Sequence, residues 1–342
     1  MSRGIGEFDP IQEVIPEWAA VFIALITQLG DTWFLAILVG VVYWFGTEKR
    51  EDAVVIVGFT VAGLGLISGL KHVFRLPRPD EPLVQLESLP WIVQPLYDVT
   101  AAAGGYGFPS GHALMTTIVY FSLAHRLSIS TRHRRLLGAA ILVGAVCFSR
   151  VALGVHYLVD VVAGVGIGIA FLIGGEILLA RIPTDHGTVA LALAIGIGLF
   201  DLIVGDITAG DVILLGTALG SFGSWQLVLL SQRLLELDRP SQIDRPLIGR
   251  GLLAVGTLTP VLIAVEEYSL FSALGRGGAI GLTLAVFIAI PIARHSERAR
   301  RFWVALVFWT NMAGLGVRFL LAPTTWQRAF SQAREYGSRL YR

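Results

Sequence analysis

Long apolar runs separated by short polar turns dominate the pattern of hydrophobic and polar positions along the chain. The runs are continuous rather than alternating, which favours helices over the strands of a membrane barrel. A helix needs about 20 mainly apolar residues to cross a bilayer. The pattern therefore predicts an all-α, polytopic membrane protein with about ten transmembrane helices, at 32–46, 53–75, 112–127, 136–150, 158–181, 187–205, 211–230, 247–267, 271–294 and 302–321.

The apolar stretch 19–29 is too short for a complete span and is followed by Gly30 and Asp31. A segment of this length is typical of an interfacial or half-inserted helix. We therefore expect a helix here that does not cross the bilayer by itself.

Composition agrees with an integral membrane protein, because 54% of the residues are hydrophobic and only 15% are charged. The formal net charge is +1, so the basic excess of a nucleic-acid-binding protein is missing. Cys147 is the single cysteine, which excludes an internal disulfide.

The placement of arginine and lysine in the short loops predicts the orientation in the cell membrane. These cations concentrate at 49–50, 126–135, 233–250 and 294–301, which the predicted topology puts on one side, the cytoplasmic side. Asp206 and Asp211 lie on the other side. Arginines at 328–342 do not fit this count, so the side of the tail stays open.

Three clusters of polar residues fall at helix ends on the predicted extracytoplasmic side. The first contains Lys71, Arg78 and Pro79, and the second is the tetrapeptide 109–112 after a glycine-rich turn. The third runs over 149–160. Each cluster alone is compatible with ordinary anchoring or turn residues. Together they place three cations, a helix start, two histidines and a carboxylate on one face, which is typical of an oxyanion site.

Specific roles follow from the chemistry of these side chains. Ser110 and Gly111 open a helix whose free N–H groups suit phosphate, and the three cations Lys71, Arg78 and Arg150 bind its oxygens. His156 and Asp160 are four residues apart, so on a helix the carboxylate orients one ring nitrogen and leaves the other for attack.

His112 would then protonate the leaving group. A metal site is the weaker interpretation, because no second carboxylate or paired cysteine accompanies the histidines and the cations would repel a divalent ion. We therefore expect no cofactor.

The three clusters resemble the three-part signature of the type 2 phosphatidic acid phosphatase superfamily, K-x6-R-P, P-S-G-H and S-R-x5-H-x3-D. Every position is present: Lys71, Arg78 and Pro79 in the first part, 109–112 in the second, and Ser149, Arg150, His156 and Asp160 in the third. The resemblance implies that His156 attacks phosphorus, that Asp160 orients it, and that His112 serves the leaving group and then water. It also implies a six-helix core.

The resemblance covers about residues 30–180. We therefore expect a membrane phosphatase core at 1–183 and an additional C-terminal transmembrane region of unknown role at 184–342. Asp201, Asn311 and Arg318 are polar residues near or within the later spans, and for Asp201 and Arg318 structural pairing or snorkelling is the favoured interpretation.

The predicted function is metal-independent hydrolysis of a lipid phosphate or diphosphate, of the phosphatidate, phosphatidylglycerophosphate or isoprenyl diphosphate class. Phosphotransfer to an alcohol, or hydrolysis of a sugar phosphate, uses the same site and stays an alternative. A transporter is an alternative of another class, although the sequence shows no inverted repeat. The expected partner is the lipid phosphate substrate, and the oligomeric state is left open.

Overall fold

The computed structural model describes residues 3–16, 18–46, 50–101, 104–182, 185–236 and 244–293. The predicted span 302–321, with Asn311 and Arg318, lies outside these residues. Within them the chain forms helices and no strand. The helices are α1 Phe8–Gln12, α2 Ala19–Thr27, α3 Thr32–Val41, α4 Arg50–Phe74, α5 Gln94–Ala101, α6 Gly111–Arg126, α7 Arg132–Ala152, α8 Leu158–Arg181, α9 His186–Val204, α10 Ala209–Leu235, α11 Arg245–Glu267 and α12 Ala273–Ala293.

Seven of the described helices are long and apolar enough to cross a membrane, namely α4 and α7 to α12. The number becomes eight if α2 and α3 together form one bent span. The prediction of a polytopic helical membrane protein is confirmed. Helix α6 has only 16 residues, yet most of its side chains are buried, because it packs against α4, α7 and α8.

The contact between α6 and α8 depends on small residues. A β-carbon added to Gly164 would lie 2.6 Å from the backbone oxygen of Ser110, and one added to Gly168 would lie 2.9 Å from Thr117 Cβ. Small residues of this kind let two membrane helices approach closely. The start of α6 and the start of α8 are thereby brought side by side.

Helices α2 and α3 are joined by a break at the residues that the sequence marks as polar. A 3-10 turn, Gln28–Gly30, ends α2, Asp31 is extended, and the two halves meet at an angle of 51°. The expected short helix is therefore one arm of a bent pair. The bend directs Asp31 toward α6.

The second half of the chain joins the first through α4. Helix α9 packs along α4, and the Cβ of Ala190 lies 2.8 Å from the position of a β-carbon on Gly58. Buried Asp201 faces His72, with 3.6 Å between Oδ1 and Nδ1, in line with the expected structural pairing. Residues up to Ile288 form one compact unit, and a second unit begins at Ala289. The functional division at residue 183 stays a prediction.

Candidate active site

All three predicted clusters meet at one end of the helical bundle, which we call the motif face. It comprises the end of α4, the start of α6, the end of α7 and the start of α8. The other end of the same helices is called the opposite face. Long apolar helices alternate in direction, so a residue at the end of one span and a residue at the start of the next share a face.

The start of α6 is fixed by its cap and by α8. Ser110 is the N-cap residue, and its side chain accepts a hydrogen bond from the backbone N–H of Ala113. The backbone N–H of Ser110 donates to the carbonyl oxygen of Asp160 at 2.9 Å. A β-carbon on Gly111 would lie 3.9 Å from Lys71 Nζ, so the lysine ammonium sits beside the helix start. Positive charge and helix N-terminus are therefore combined at one place.

His156 lies in the turn between α7 and α8 and is almost completely buried. Its Nε2 is 3.0 Å from Arg78 Nη1. A guanidinium group has no acceptor, so Nε2 must be the acceptor in this contact and carries the lone pair. The remaining proton is on Nδ1, which faces Asp160 Oδ2 at 3.6 Å. This is the tautomer that a histidine nucleophile requires.

Electrostatic surroundings keep the ring of His156 neutral. Burial lowers its pKa well below the ordinary value, and the nearby charges of Arg150, Arg78 and Lys71 lower it further, as does His112. Burial also lowers the pKa of Arg78, which the carboxylate of Asp160 partly opposes. An uncharged imidazole surrounded by cations is suited to attack on an anionic substrate.

Arg150 is only 1% exposed, so its guanidinium group is shielded from solvent. Its Nη1 donates to Thr27 Oγ1 at 3.0 Å and to the carbonyl oxygen of Thr100 at 3.3 Å. Within the described part of the chain, however, Arg150 Nε is buried without a hydrogen bond, and so is His156 Nδ1. A buried donor left unpaired is costly, so such groups at one site indicate a place that a ligand fills.

The histidine at the start of α6 has a carboxylate partner that the sequence did not identify. His112 Nε2 lies 2.8 Å from Asp31 Oδ1. The approach is close because residue 30 is glycine: a β-carbon there would lie 2.9 Å from His112 Cδ2. In the sequence Asp31 is only a polar residue behind a short apolar helix, and this position is the available signal.

His112 and His156 thus each have their own aspartate. In the described residues, no group of three or more histidine, cysteine, aspartate or glutamate side chains could hold a metal ion. A cavity of about 370 Å³ opens beside Arg78 and Val155 and is lined by the 79–87 segment and Tyr97. The geometry brings these two histidine–aspartate pairs together with three cations, beside a cavity.

Comparison with known proteins agrees with this geometry. The family model for the PAP2 superfamily matches residues 53–187, which contain all three clusters. Over this segment, which is less than half of the chain, the protein is similar to the PAP2 superfamily.

Two curated relatives are similar to parts of the chain. Lipid phosphate phosphatase delta of Arabidopsis thaliana is 33% identical over 110 residues, 30% of this chain and 25% of that protein. Phosphatidylglycerophosphatase B of Bacillus subtilis (strain 168) is 28% identical over 170 residues, 46% of this chain and 75% of that protein. The matched segment spans about a quarter of the length of the Arabidopsis protein. No solved structure matches. Both relatives carry phosphatase names, in agreement with the predicted phosphoric ester hydrolase.

Proposed function

We propose that this protein is an integral membrane phosphatase that hydrolyses a lipid phosphate or diphosphate through a phosphohistidine, without a metal. The observation that carries the proposal is the state of His156: a buried ring whose Nε2 lone pair is turned toward Arg78, with Asp160 behind it. The names of the two relatives support a lipid phosphate as substrate.

Binding relies on groups that surround the Nε2 atom of His156. Lys71, Arg78 and Arg150 supply the charge, and the N–H groups at the start of α6, with Ser110 and Gly111, supply neutral donors. On binding, Arg78 exchanges its contact with His156 for a phosphate oxygen, and Arg150 Nε gains an acceptor. The apolar part of the lipid remains in the bilayer beside the bundle.

The first chemical step forms the bond between His156 Nε2 and phosphorus and breaks the bond from phosphorus to the leaving oxygen. Asp160 stabilises the positive charge that develops on the ring. His112, held by Asp31, donates a proton to the leaving oxygen. In the second step a water molecule gives its proton back to His112 and attacks phosphorus. The bond between phosphorus and nitrogen breaks, and phosphate leaves.

Location at the extracytoplasmic side of the cell membrane is part of the proposal. It is supported by the concentration of loop arginines and lysines at the opposite face. A substrate lipid in the outer leaflet would place its phosphate at the depth of the motif face.

The test is phosphate release by purified wild type and His156→Ala in EDTA, with phosphatidate, phosphatidylglycerophosphate, an isoprenyl diphosphate and glucose 6-phosphate as substrates. Wild type should release phosphate from at least one lipid. The rate of release by His156→Ala should be lower by about 10⁴-fold or more. His125→Ala is the matched control, since His125 is an exposed histidine at the opposite end of α6.

Three outcomes would contradict the proposal. Activity that EDTA abolishes would overturn metal independence, and activity retained by His156→Ala would overturn the nucleophile. Release from glucose 6-phosphate alone would favour a sugar-phosphate phosphatase. Adding an alcohol and finding a new phosphate ester would instead identify a phosphotransferase.

A further inference from the structure

The carboxylate of Asp160 has a second partner that lies far away in the sequence. Arg3 Nε is 3.1 Å from Asp160 Oδ1, and Arg3 Nη2 is 3.3 Å from Oδ2. The same Nη2 donates to the carbonyl oxygen of Pro77 at 2.7 Å, immediately before Arg78. The guanidinium group therefore forms a two-pronged contact with the carboxylate that faces His156 and also touches the first motif.

The contact is part of a built structure rather than a surface ion pair. Arg3 is only 17% exposed, and its guanidinium carbon lies 5.0 Å from the ring centre of Tyr157 and 5.9 Å from that of Phe108. Arginine stacked on aromatic rings loses much of its freedom, so the fork is held in place.

The residues after Arg3 anchor the segment to the same helix start. Glu7 Oε1 accepts a hydrogen bond from the backbone N–H of Leu158 at 3.0 Å, and its Oε2 accepts one from Ile5 at 2.6 Å. Gly6, with φ of +80°, makes the turn between them. Phe8 is buried, 5.6 Å from the ring centre of Tyr157. We call residues 3–8 the strap.

We propose that the strap belongs to the catalytic centre and that Arg3 is a positioning residue, which holds the Asp160 carboxylate and balances its charge behind His156. The proposal rests on the function proposed above and goes beyond its three motifs. Asp160 alone would stabilise a protonated His156, whereas Asp160 paired with Arg3 orients the ring and leaves Nε2 unprotonated.

Charged and titratable groups face His156 from every segment around it. They are Lys71 of α4, Arg78 of the following loop, His112 of α6, Arg150 of α7 and Asp160 of α8, and Arg3 of the strap acts on the ring through Asp160. Removal of Arg3 takes away one positive charge next to Asp160. The uncompensated carboxylate then favours the protonated imidazole, so the pKa of His156 rises and less of the nucleophile is free at low pH.

The experiment compares the pH dependence of kcat/KM for wild type, Arg3→Gln, Arg3→Lys and Arg75→Gln, with a melting temperature for each. In Arg3→Gln, kcat should fall about tenfold and the acid limb should move up by about half a pH unit or more. Arg3→Lys keeps the charge but loses the fork, so its acid limb should stay and its kcat should fall a few-fold. Arg75→Gln is the control, since Arg75 is half exposed on the same face and is 3.9 Å from exposed Asp206.

Two results would overturn the role of Arg3 and leave the proposed function intact. One is an active Arg3→Gln variant with an unmoved acid limb. The other is equal loss in Arg3→Gln and Arg3→Lys together with lower melting temperatures, which would make the contact purely structural. If Arg3→Gln does not fold, an Arg3→Lys variant with unchanged kcat would equally overturn the role of Arg3. A wild type that releases no phosphate from any substrate would instead refute the proposed function.

Discussion

Asp160 and Asp185 both stand at the start of a helix and both bind an arginine, yet one lies at the motif face and the other at the opposite face. Asp185 caps α9, and every oxygen of its carboxylate is used: Oδ1 accepts from Thr188 N and Trp225 Nε1, and Oδ2 from Thr188 Oγ1 and Arg250 Nη1. Around Asp160, by contrast, His156 Nδ1 and the nearby Arg150 Nε are buried without partners in the described part of the chain.

The difference separates a structural network from a reactive one. Around Asp185 the carboxylate is satisfied by residues of three helices, which ties α9, α10 and α11 together. Around Asp160 two donors stay unmet among the described residues, which costs stability and keeps binding capacity for an anion. Substitutions at the motif face should therefore affect turnover first, and substitutions at the opposite face should affect stability first.

The largest contrast is expected between Asp160→Asn and Asp185→Asn. Asp160→Asn should lower kcat by about 10³-fold, because an amide can no longer stabilise the positive ring of His156. Asp185→Asn should leave kcat within a few-fold but lower the free energy of unfolding by about 1–3 kcal/mol. Phosphate release and thermal unfolding of the same samples measure both.

The pH dependence of stability gives a second test of the structural role of Asp185. Burial raises the pKa of Asp185, but hydrogen bonds from Thr188, Arg250 and Trp225 outweigh it, so the net pKa is below the ordinary value. A lowered folded-state pKa stabilises the protein above the unfolded value of about 4, and this contribution is lost as the pH falls through the folded value. Wild type should therefore lose more stability on acidification than Asp185→Asn. Parallel curves for the two proteins would contradict this account.

An intermediate effect is expected at the second histidine. Asp31→Asn should lower turnover of a lipid phosphate by about 10²-fold, because His112 loses the carboxylate that orients it. An aryl phosphate with a good leaving group needs less protonation of its leaving oxygen, so its turnover should fall much less. Asp52→Asn, at the opposite face beside Arg126, is the matched control. Equal losses on both substrates would show that Asp31 does not act through the leaving group.

The smallest effects are expected from two glycines with crowded surroundings. A β-carbon on Gly30 would lie 2.8 Å from Val146 Cγ1 and 2.9 Å from His112, whereas one on Gly187 would lie 2.7 Å from Trp225 Nε1. Gly30→Ala should lower kcat several-fold as His112 is displaced. Gly187→Ala should lower the melting temperature with little change in kcat. If Gly30→Ala lowered only the melting temperature and Gly187→Ala lowered only kcat, the contrast between the two faces would be wrong.

The sequence was sufficient for the helical fold and for recognising the three motifs, because apolar runs and local spacing determine both, while the catalytic roles of the motif residues stay a prediction. It was not sufficient for Asp31 or Arg3. Their partners are 81 and 157 residues away, and no local pattern specifies which helix ends meet at that distance. The bend between α2 and α3 was also missed, since a short apolar run is compatible with an interfacial helix and with half of a broken span.

The separation of 157 residues between Arg3 and Asp160 also orders events during synthesis. The strap is translated before its partner, which exists only after α7 has been completed and the first turn of α8 has been made. Up to that moment the nascent chain carries Arg3 without the carboxylate that it binds in the folded protein. Helices α9 to α12 follow later, so the ribosome finishes every residue of the centre before it begins the second half.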